Sequence, residues 1–322
     1  MDPKTLPIPA LRTFSLMATV LAATVLQPGC GQSQARSDST DTRLQVVCTT
    51  GQVGDIANRV GGEHIRVTSI MGPSVDPHLY KANSRDIDEF NRADLIFYNG
   101  LHLEGRLADL LENSTPDRPT YAVTSPLLDA SPKVLRESEE FEGHYDPHVW
   151  FDPTIWVQCV QFVGERLAEH DPDNKDTYLK NAKAYSDEIL NAHKRWQEQL
   201  ASIEDSRRVL ITAHDAFGYF GNAYDVEVRG LQGISTADET DVSTVEELIE
   251  LLVSRKIKAV FVESSVSDRS VRSLIEGCQA RGHTVVIGGE LFSDAMGPAD
   301  TPEGTYRGMM DHNVQTMLKA LK

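Results

Sequence analysis

Short apolar runs alternate with helical patterns after residue 43, and this alternation limits the available folds more than any other feature. A strand followed by a helix and then another strand is typical of parallel sheets covered by helices. The predicted strands cover residues 44–49, 64–70, 94–98, 120–123, 207–212, 258–263 and 284–288. We therefore predict an α/β fold with parallel sheets flanked by helices.

One apolar face extends along a single long segment near the middle of the chain. Its members recur at spacings of three and four: Tyr178, Ala182, Tyr185, Ile189, Ala192, Trp196, Leu200 and Ile203. This spacing predicts a helix over 173–203, about 46 Å long at 1.5 Å per residue. An ordinary core helix, or two helices with a break, is the alternative. We interpret the helix as a rigid backbone within 173–206, between α/β lobes at 44–172 and 207–322.

The amino terminus resembles an export signal. Lys4 and Arg12 precede an apolar run over 14–26, which is shorter than the roughly 20 residues of a membrane-spanning helix. Gly29 and Cys30 at its end resemble a lipidation site, although Gln27 and Pro28 are unusual there. We predict a signal peptide over 1–29, then a lipid anchor at Cys30 and a flexible tether over 30–43. Ordinary cleavage that releases a free secreted protein is the alternative.

The charge and the cysteines exclude several functions. A net charge of −17 without clustered Lys and Arg argues against a nucleic-acid partner. The cysteines form no CxxC pair and no zinc-finger spacing, so we expect neither a redox motif nor a disulfide framework. Cys48, Cys159 and Cys278 are predicted to be small buried side chains.

Two of the ten histidines occur in the same short phrase, Asp-Pro-His followed by an aromatic residue two positions later. These are His78 and His148. A preceding proline restricts the backbone, and the nearby aspartate can orient the imidazole, as a metal ligand requires. Two turns of similar sequence are the alternative interpretation.

Two further candidates follow predicted strands of the second half. His214 comes directly after the strand at 207–212, and Asp294 lies beyond the strand at 284–288. Ligands of α/β folds bind outside the carboxyl ends of strands. With two candidates in each half, a metal site would lie in the cleft between the lobes, unless each residue has a separate structural role.

The phrases DPHLY, DPHVWFDP, TAHDAFGYF, GLQGIST, FVESS and GGELFSDAMG occur in order between about residues 44 and 322. The chain thereby resembles the TroA-type solute-binding lipoproteins of ABC importers for transition metals, which are related to ZnuA and PsaA. The resemblance implies two lobes joined by one long helix, with the metal held by His78, His148, His214 and Asp294. It also implies an exported, periplasmic or cell-surface receptor that delivers metal to a permease. We expect a monomer.

The resemblance leaves the choice of metal open. Manganese-type members tend to have Glu at the third ligand position, whereas zinc-type and TroA-like members have His, as here at His214. The segment 136–147 is short and lacks the long His-rich insertion of many zinc receptors. Three imidazoles and a carboxylate suit Zn²⁺, and they also accept Mn²⁺ and Fe²⁺. We predict zinc first and manganese second.

Other polar residues near these loops are weaker candidates for a role at the metal site. His102 and Glu104 follow a strand end and could support the site, and His144 could be an accessory ligand; loop structure is the alternative for all three. Candidates to orient the histidines or cap helices are Asp76, Asp146 and Asp215. The remaining histidines, at 64, 170, 193, 283 and 312, are interpreted as structural or surface residues.

A zinc-dependent hydrolase is the rival of a different class, with three ligands and a base. The chain contains neither HExxH nor Gly-x-Ser-x-Gly, so we predict that it is not an enzyme. An adhesin role finds no independent support in the sequence.

Overall fold

The computed structural model describes residues 42–322 except 113–117, 131, 138–140, 142 and 238–239. The predicted signal peptide, Cys30 and nearly all of the predicted tether lie outside the described residues. Across the described residues, no helix is both long enough and apolar enough to cross a membrane.

The first lobe is a parallel sheet covered by helices, as predicted. Its strands lie in the order β2-β1-β3-β4, and every pairing in the sheet is parallel. The strands are β1 (Leu44–Cys48), β2 (Ile65–Ser69), β3 (Leu95–Tyr98) and β4 (Thr120–Ala122). The helices are α1 (Gly51–Gly61), α2 (Ser84–Arg92), α3 (Ala108–Glu112) and α4 (Ser125–Ala130). Helices α3 and α4 were not predicted, because short polar segments carry little helical periodicity.

Two long helices follow the first sheet, α5 (Pro153–His170) and α6 (Lys175–Leu200). Helix α6 buries the predicted face, including Tyr185, Ile189 and Trp196. It has 26 residues and is therefore about 39 Å long, shorter than predicted. The difference arises at both ends, since Pro172–Asn174 form a 3₁₀ turn and the helix stops at Leu200.

The second lobe repeats the arrangement. Strand β5 (Val209–His214) pairs with β6 (Glu227–Gln232), and β7 (Ala259–Glu263) pairs with β8 (Val286–Leu291), both in parallel. Strands β5 and β7 are in contact, so the second lobe has the same spatial strand order as the first. The helices are α7 (Gly218–Tyr224), α8 (Val242–Arg255), α9 (Arg269–Ala280) and α10 (Tyr306–Leu321).

Three details of the second lobe differ from the prediction. Strand β6 was missed because its sequence, EVRGLQ, is largely polar and only Leu231 is fully buried. The sequence Ser243-Thr-Val-Glu246 predicts a capping box that begins a helix at Ser243. This prediction is wrong: Asp241 caps α8 by accepting from Ser243 N at 3.0 Å. Strand β8 extends to Leu291, beyond the predicted end at 288, because it pairs with β7 as far as Glu263.

One hydrophobic core cluster extends through both lobes. It includes Trp156 of α5, Trp196 of α6, Phe217 near α7 and Tyr306 of α10. The Tyr306 hydroxyl donates to the carbonyl oxygen of Trp150 at 2.8 Å and so joins the last helix to the first lobe. Because the lobes share buried side chains, a wide hinge motion would expose core surface to water.

Candidate metal centre

Four segments of the chain meet between the lobes, and each carries one predicted ligand. His78 follows β2, and His148 lies directly before the 3₁₀ turn Val149–Phe151. His214 is the last residue of β5, and Asp294 lies three residues beyond β8. Parallel strands place their carboxyl ends on one edge of a sheet. The structure therefore brings together all four residues singled out from the sequence.

The donor atoms of these four residues all lie within 4.8 Å of one another. His78 Nε2 is 3.4 Å from His148 Nε2. The Asp294 carboxylate is 3.2 Å from His148 Nε2, 3.3 Å from His214 Nε2 and 3.8 Å from His78 Nε2. Three Nε2 atoms and one carboxylate thus converge on one point, with each imidazole presenting the same nitrogen.

All four side chains are buried, with exposed fractions of 4% or less. Within the described part of the chain, both carboxylate oxygens of Asp294 and Nε2 of His214 lack an aligned hydrogen-bond partner. Buried polar atoms without partners are costly unless something compensates them. A divalent cation among these four donors would supply that compensation, so the residues present fit a metal ion.

Two of the three imidazoles are oriented by a carboxylate. Asp146 Oδ1 accepts from His148 Nδ1 at 2.8 Å and from His148 N at 3.0 Å. His214 Nδ1 lies 2.6 Å from Glu263 Oε2, a short ion-pair distance without hydrogen-bond alignment, and His214 N donates to Glu263 Oε1 at 2.9 Å. These contacts leave Nε2 of His148 and of His214 directed at the shared point.

His78 is held through its backbone. Its N–H donates to Asp76 Oδ1 at 2.9 Å, and Asp76 Oδ2 accepts from Thr236 Oγ1 at 2.6 Å. Thr236 belongs to the second lobe, so this aspartate connects a ligand loop of the first lobe to the opposite wall of the cleft.

Comparison with known proteins gives the family. Residues 46–320 match the family described as ZnuA, zinc-uptake complex component A, periplasmic. The chain belongs to the ZnuA family. This is a family of solute-binding receptors of ABC transporters and not of enzymes.

Individual relatives cover nearly the whole chain. The manganese-binding lipoprotein MntA of Bacillus subtilis is 46% identical over 95% of this chain and 99% of its own length. The zinc-binding protein TroA of Treponema pallidum is 41% identical over 95% of this chain and 98% of its own. The solved structure of the Treponema pallidum protein matches with a TM-score of 0.82 at 40% identity, covering 87% of this chain and 99% of that one.

Burial and charge act in opposite directions on the acid–base groups of this ZnuA-family site. Burial lowers the pKa of His148, but the hydrogen bond to Asp146 and the charges of Asp146 and Asp294 outweigh burial and raise it to about 9. Burial lowers the pKa of His78 to about 3, although the Asp294 charge opposes this shift. Burial also lowers the pKa of His214, but the Glu263 and Asp294 charges raise it well above its ordinary value.

Burial raises the pKa of the Asp294 carboxyl, and the charges of His214 and His148 overcome this effect. Its pKa is therefore held well below the ordinary value. The metal-free site thus keeps an ionised carboxylate that faces protonated imidazoles. A metal ion that binds there takes the place of those protons.

The weaker candidates have other roles. Glu104 is buried and accepts from Thr49 Oγ1 at 2.6 Å, from Asn99 N at 2.7 Å and from Gly100 N at 3.1 Å, so it fixes the loop after β3. His102 and His144 contact each other outside the cluster, with ring centroids 3.9 Å apart.

The predicted orienting aspartates divide into two groups. Asp76 and Asp146 contact their neighbouring histidines as predicted, whereas Asp215 faces Arg136 at 3.9 Å. The three cysteines within the described residues, Cys48, Cys159 and Cys278, are buried free thiols whose pKa is raised by burial.

Glu263 and Arg136 were not predicted to take part. The available signal for Glu263 was its position at the carboxyl end of a predicted strand, within the phrase FVESS. Arg136 gave no sequence signal, because its partners are 10 and 79 positions away.

Replacing Glu263 tests the orienting carboxylate of His214. We expect Glu263→Gln to weaken metal binding by about 10–100-fold, because removal of such a partner leaves the imidazole less basic and less well oriented. Titration calorimetry with Zn²⁺ on metal-free protein measures the change. Glu290→Gln, on the exposed side of the neighbouring strand β8, is the matched control and should bind like the wild type. Equal affinity of both variants would contradict the role of Glu263.

Proposed function

We propose that this chain is the extracytoplasmic receptor of an ABC importer, and that it captures one divalent transition metal with His78, His148, His214 and Asp294. The observation that carries the proposal is the convergence of four buried donor atoms, from four separate segments of the chain, within 4.8 Å. Buried, preoriented ligands favour tight binding, because little of the binding free energy is lost in ordering them.

The donor set favours zinc first and manganese second. Three imidazole nitrogens and one carboxylate oxygen are an ordinary tetrahedral ligand set for Zn²⁺. At a given site of this kind, Zn²⁺ binds more tightly than Mn²⁺ or Fe²⁺ by the Irving–Williams order. The relatives named above include one called manganese-binding and one called zinc-binding. We therefore expect zinc to bind most tightly in the test tube, whichever metal the importer takes up.

A receptor explains the number of ligands better than a hydrolase does. Catalytic zinc has three protein ligands and an open position for water. Here a fourth protein donor, Asp294, lies 3.2 Å and 3.3 Å from two of the imidazole nitrogens. A metal with four protein ligands has no open position at which a catalytic water could bind.

We further propose that the mature chain is a monomer attached to the membrane by a lipid on Cys30, with residues 31–43 as the tether. The lobes would comprise 44–172 and 207–322, with 173–206 as the connecting helix. Several relatives are named lipoproteins, which supports the anchor. This arrangement would hold the receptor near the permease to which it delivers metal.

Titration calorimetry of the metal-free chain with Zn²⁺, Mn²⁺ and Fe²⁺ tests the function. We expect one site, a dissociation constant below micromolar, and the tightest binding for Zn²⁺. Failure to bind any of the three more tightly than micromolar would contradict the receptor. Tighter binding of Mn²⁺ than of Zn²⁺ would contradict only the order. Elemental analysis of natively purified protein identifies the metal that is carried in the cell.

A further inference from the structure

Arg136 of the first lobe contacts carboxylates of both lobes beside the site. Its Nη1 lies 2.6 Å from Asp146 Oδ2, and its Nη2 lies 3.9 Å from Asp215 Oδ2. Asp146 is fully buried, whereas Arg136 and Asp215 are about one-third exposed, at 30% and 31%. The guanidinium thus joins a buried carboxylate of the first lobe to a partly exposed carboxylate of the second.

Each of these carboxylates stands next to one proposed ligand. Asp146 orients His148 through the 2.8 Å contact to Nδ1, and Asp215 directly follows His214 in the chain. Arg136 contacts no proposed ligand itself. It acts on His148 through Asp146, and it connects that pair to the loop that begins at His214.

Tyr219 of α7 completes the connection between the lobes. Arg136 N donates to the Tyr219 hydroxyl oxygen at 3.0 Å, and that hydroxyl donates to the Asp146 carbonyl oxygen at 3.0 Å. The guanidinium carbon of Arg136 lies 5.8 Å from the centroid of the Tyr219 ring. The segments that carry Arg136 and Asp146 are therefore both fastened to one side chain of the second lobe.

Gly218 leaves the space that the guanidinium occupies. A β-carbon at this position would lie 1.0 Å from Arg136 Nη1 and 1.9 Å from its Cζ. A side chain as small as alanine would displace the guanidinium. The substitution would keep the charge of Arg136 in the protein and would replace none of the proposed ligands. The fold thus offers a way to move Arg136 without mutating it.

We propose that Arg136 is a positioning residue that ties the two lobes together around the bound metal and slows its release. This inference rests on the proposed function. Separation of the lobes would break the contact between Arg136 and Asp215 and loosen the orientation of His148. We expect the on-rate to depend less on Arg136, because its polar contacts are with Asp146, Asp215 and Tyr219 and not with the four proposed ligands.

The two ion pairs of Arg136 differ in their response to salt. The pair with Asp215 is partly exposed and 3.9 Å long, so dissolved ions screen it. The pair with the buried Asp146 is short and less accessible to ions. Metal release from the wild type should therefore become faster with ionic strength, and this dependence should vanish when either member of the outer pair is removed.

The experiment measures Zn²⁺ release from the full chain by stopped flow with an excess of a coloured chelator, and the on-rate separately. For Arg136→Gln we expect release to be about tenfold faster. Loss of a residue that orients a metal ligand costs about 10–100-fold in affinity, and this is the lower end of that range. The on-rate should stay within about twofold of the wild type. Arg136→Lys should recover part of the effect, because an ammonium can reach Asp146 but cannot bridge to Asp215 as well.

Two variants separate positioning from general destabilisation. Gly218→Ala should accelerate release with Arg136 still present, and Asp215→Asn should abolish the salt dependence of release. Arg229→Gln is the control, because Arg229 pairs with Glu227 on the same strand and should leave both rates unchanged.

The outcomes distinguish this inference from the proposed function. If the wild type binds Zn²⁺ and Arg136→Gln releases it at the wild-type rate, the inference about Arg136 is overturned and the receptor stands. A salt dependence that survives in Asp215→Asn overturns the bridge between the lobes. A wild type that binds no metal at this site overturns both.

Discussion

His214→Ala is expected to lower the affinity for Zn²⁺ by at least about 100-fold, since loss of an outer partner alone costs about 10–100-fold. The substitution removes one of four donors and leaves the Asp294 Oδ2 atom, 3.3 Å from His214 Nε2, without that neighbour. It also leaves the fully buried Glu263 carboxylate without the imidazole that lies 2.6 Å away. Titration calorimetry and elemental analysis of the purified variant measure the loss.

A histidine outside the cluster provides the control for this substitution. His170 is exposed at the last residue of α5, and His170→Ala should bind metal like the wild type. Thermal melting of both metal-free variants shows whether each remains folded. Metal retained undiminished in His214→Ala would show that the ligand assignment is wrong.

Affinity for the metal is expected to rise by at least about tenfold per pH unit between pH 5 and 8, the slope for one displaced proton. Burial lowers the pKa of His148, but the hydrogen bond to Asp146 and the charges of Asp146 and Asp294 raise it to about 9, so the metal-free site holds this proton throughout the range. His78, with its pKa lowered to about 3, is already neutral and contributes no slope there.

The free energy of unfolding of the metal-free protein should fall through the titration of His148 as the pH rises, whereas the affinity for metal rises. Because the folded-state pKa of His148 is raised, its contribution is fully present below the unfolded value of about 6.5 and is lost as the pH rises through about 9. Thermal melts of metal-free and zinc-loaded protein from pH 5 to 9 measure both effects. The increase in Tm on metal binding should grow with pH; an increase that is the same at every pH would contradict proton displacement.

The apolar runs predicted most of the fold because strand and helix periodicity are local properties. Strands β1, β3 and β7 consist mostly of apolar residues that are buried in the sheets, and α6 buries the face that its spacing predicted. Strand β6 was not predicted, because its side chains are mostly half-exposed and its position depends on backbone pairing with β5. A pairing of that kind leaves little pattern in the sequence.

The candidate ligands could also be predicted, because their type and position follow rules that hold along the chain. His214 and Asp294 follow strands, and His78 and His148 share a phrase. The family resemblance then joined the four residues into one set. The orienting role of Glu263 was not predicted, because its contact with His214 connects two strands separated by 49 positions.

The sequence by itself determined the α/β class, the long central helix and the chemistry of the four donors, since these depend on residue type and short spacings. Only the tertiary structure decided that three Nε2 atoms and one carboxylate face one point, and that Arg136 reaches across to Asp215 beside Gly218. The physical reason is that these contacts join residues more than 60 positions apart. Their distances are set by how strands, helices and lobes pack, which no local pattern records.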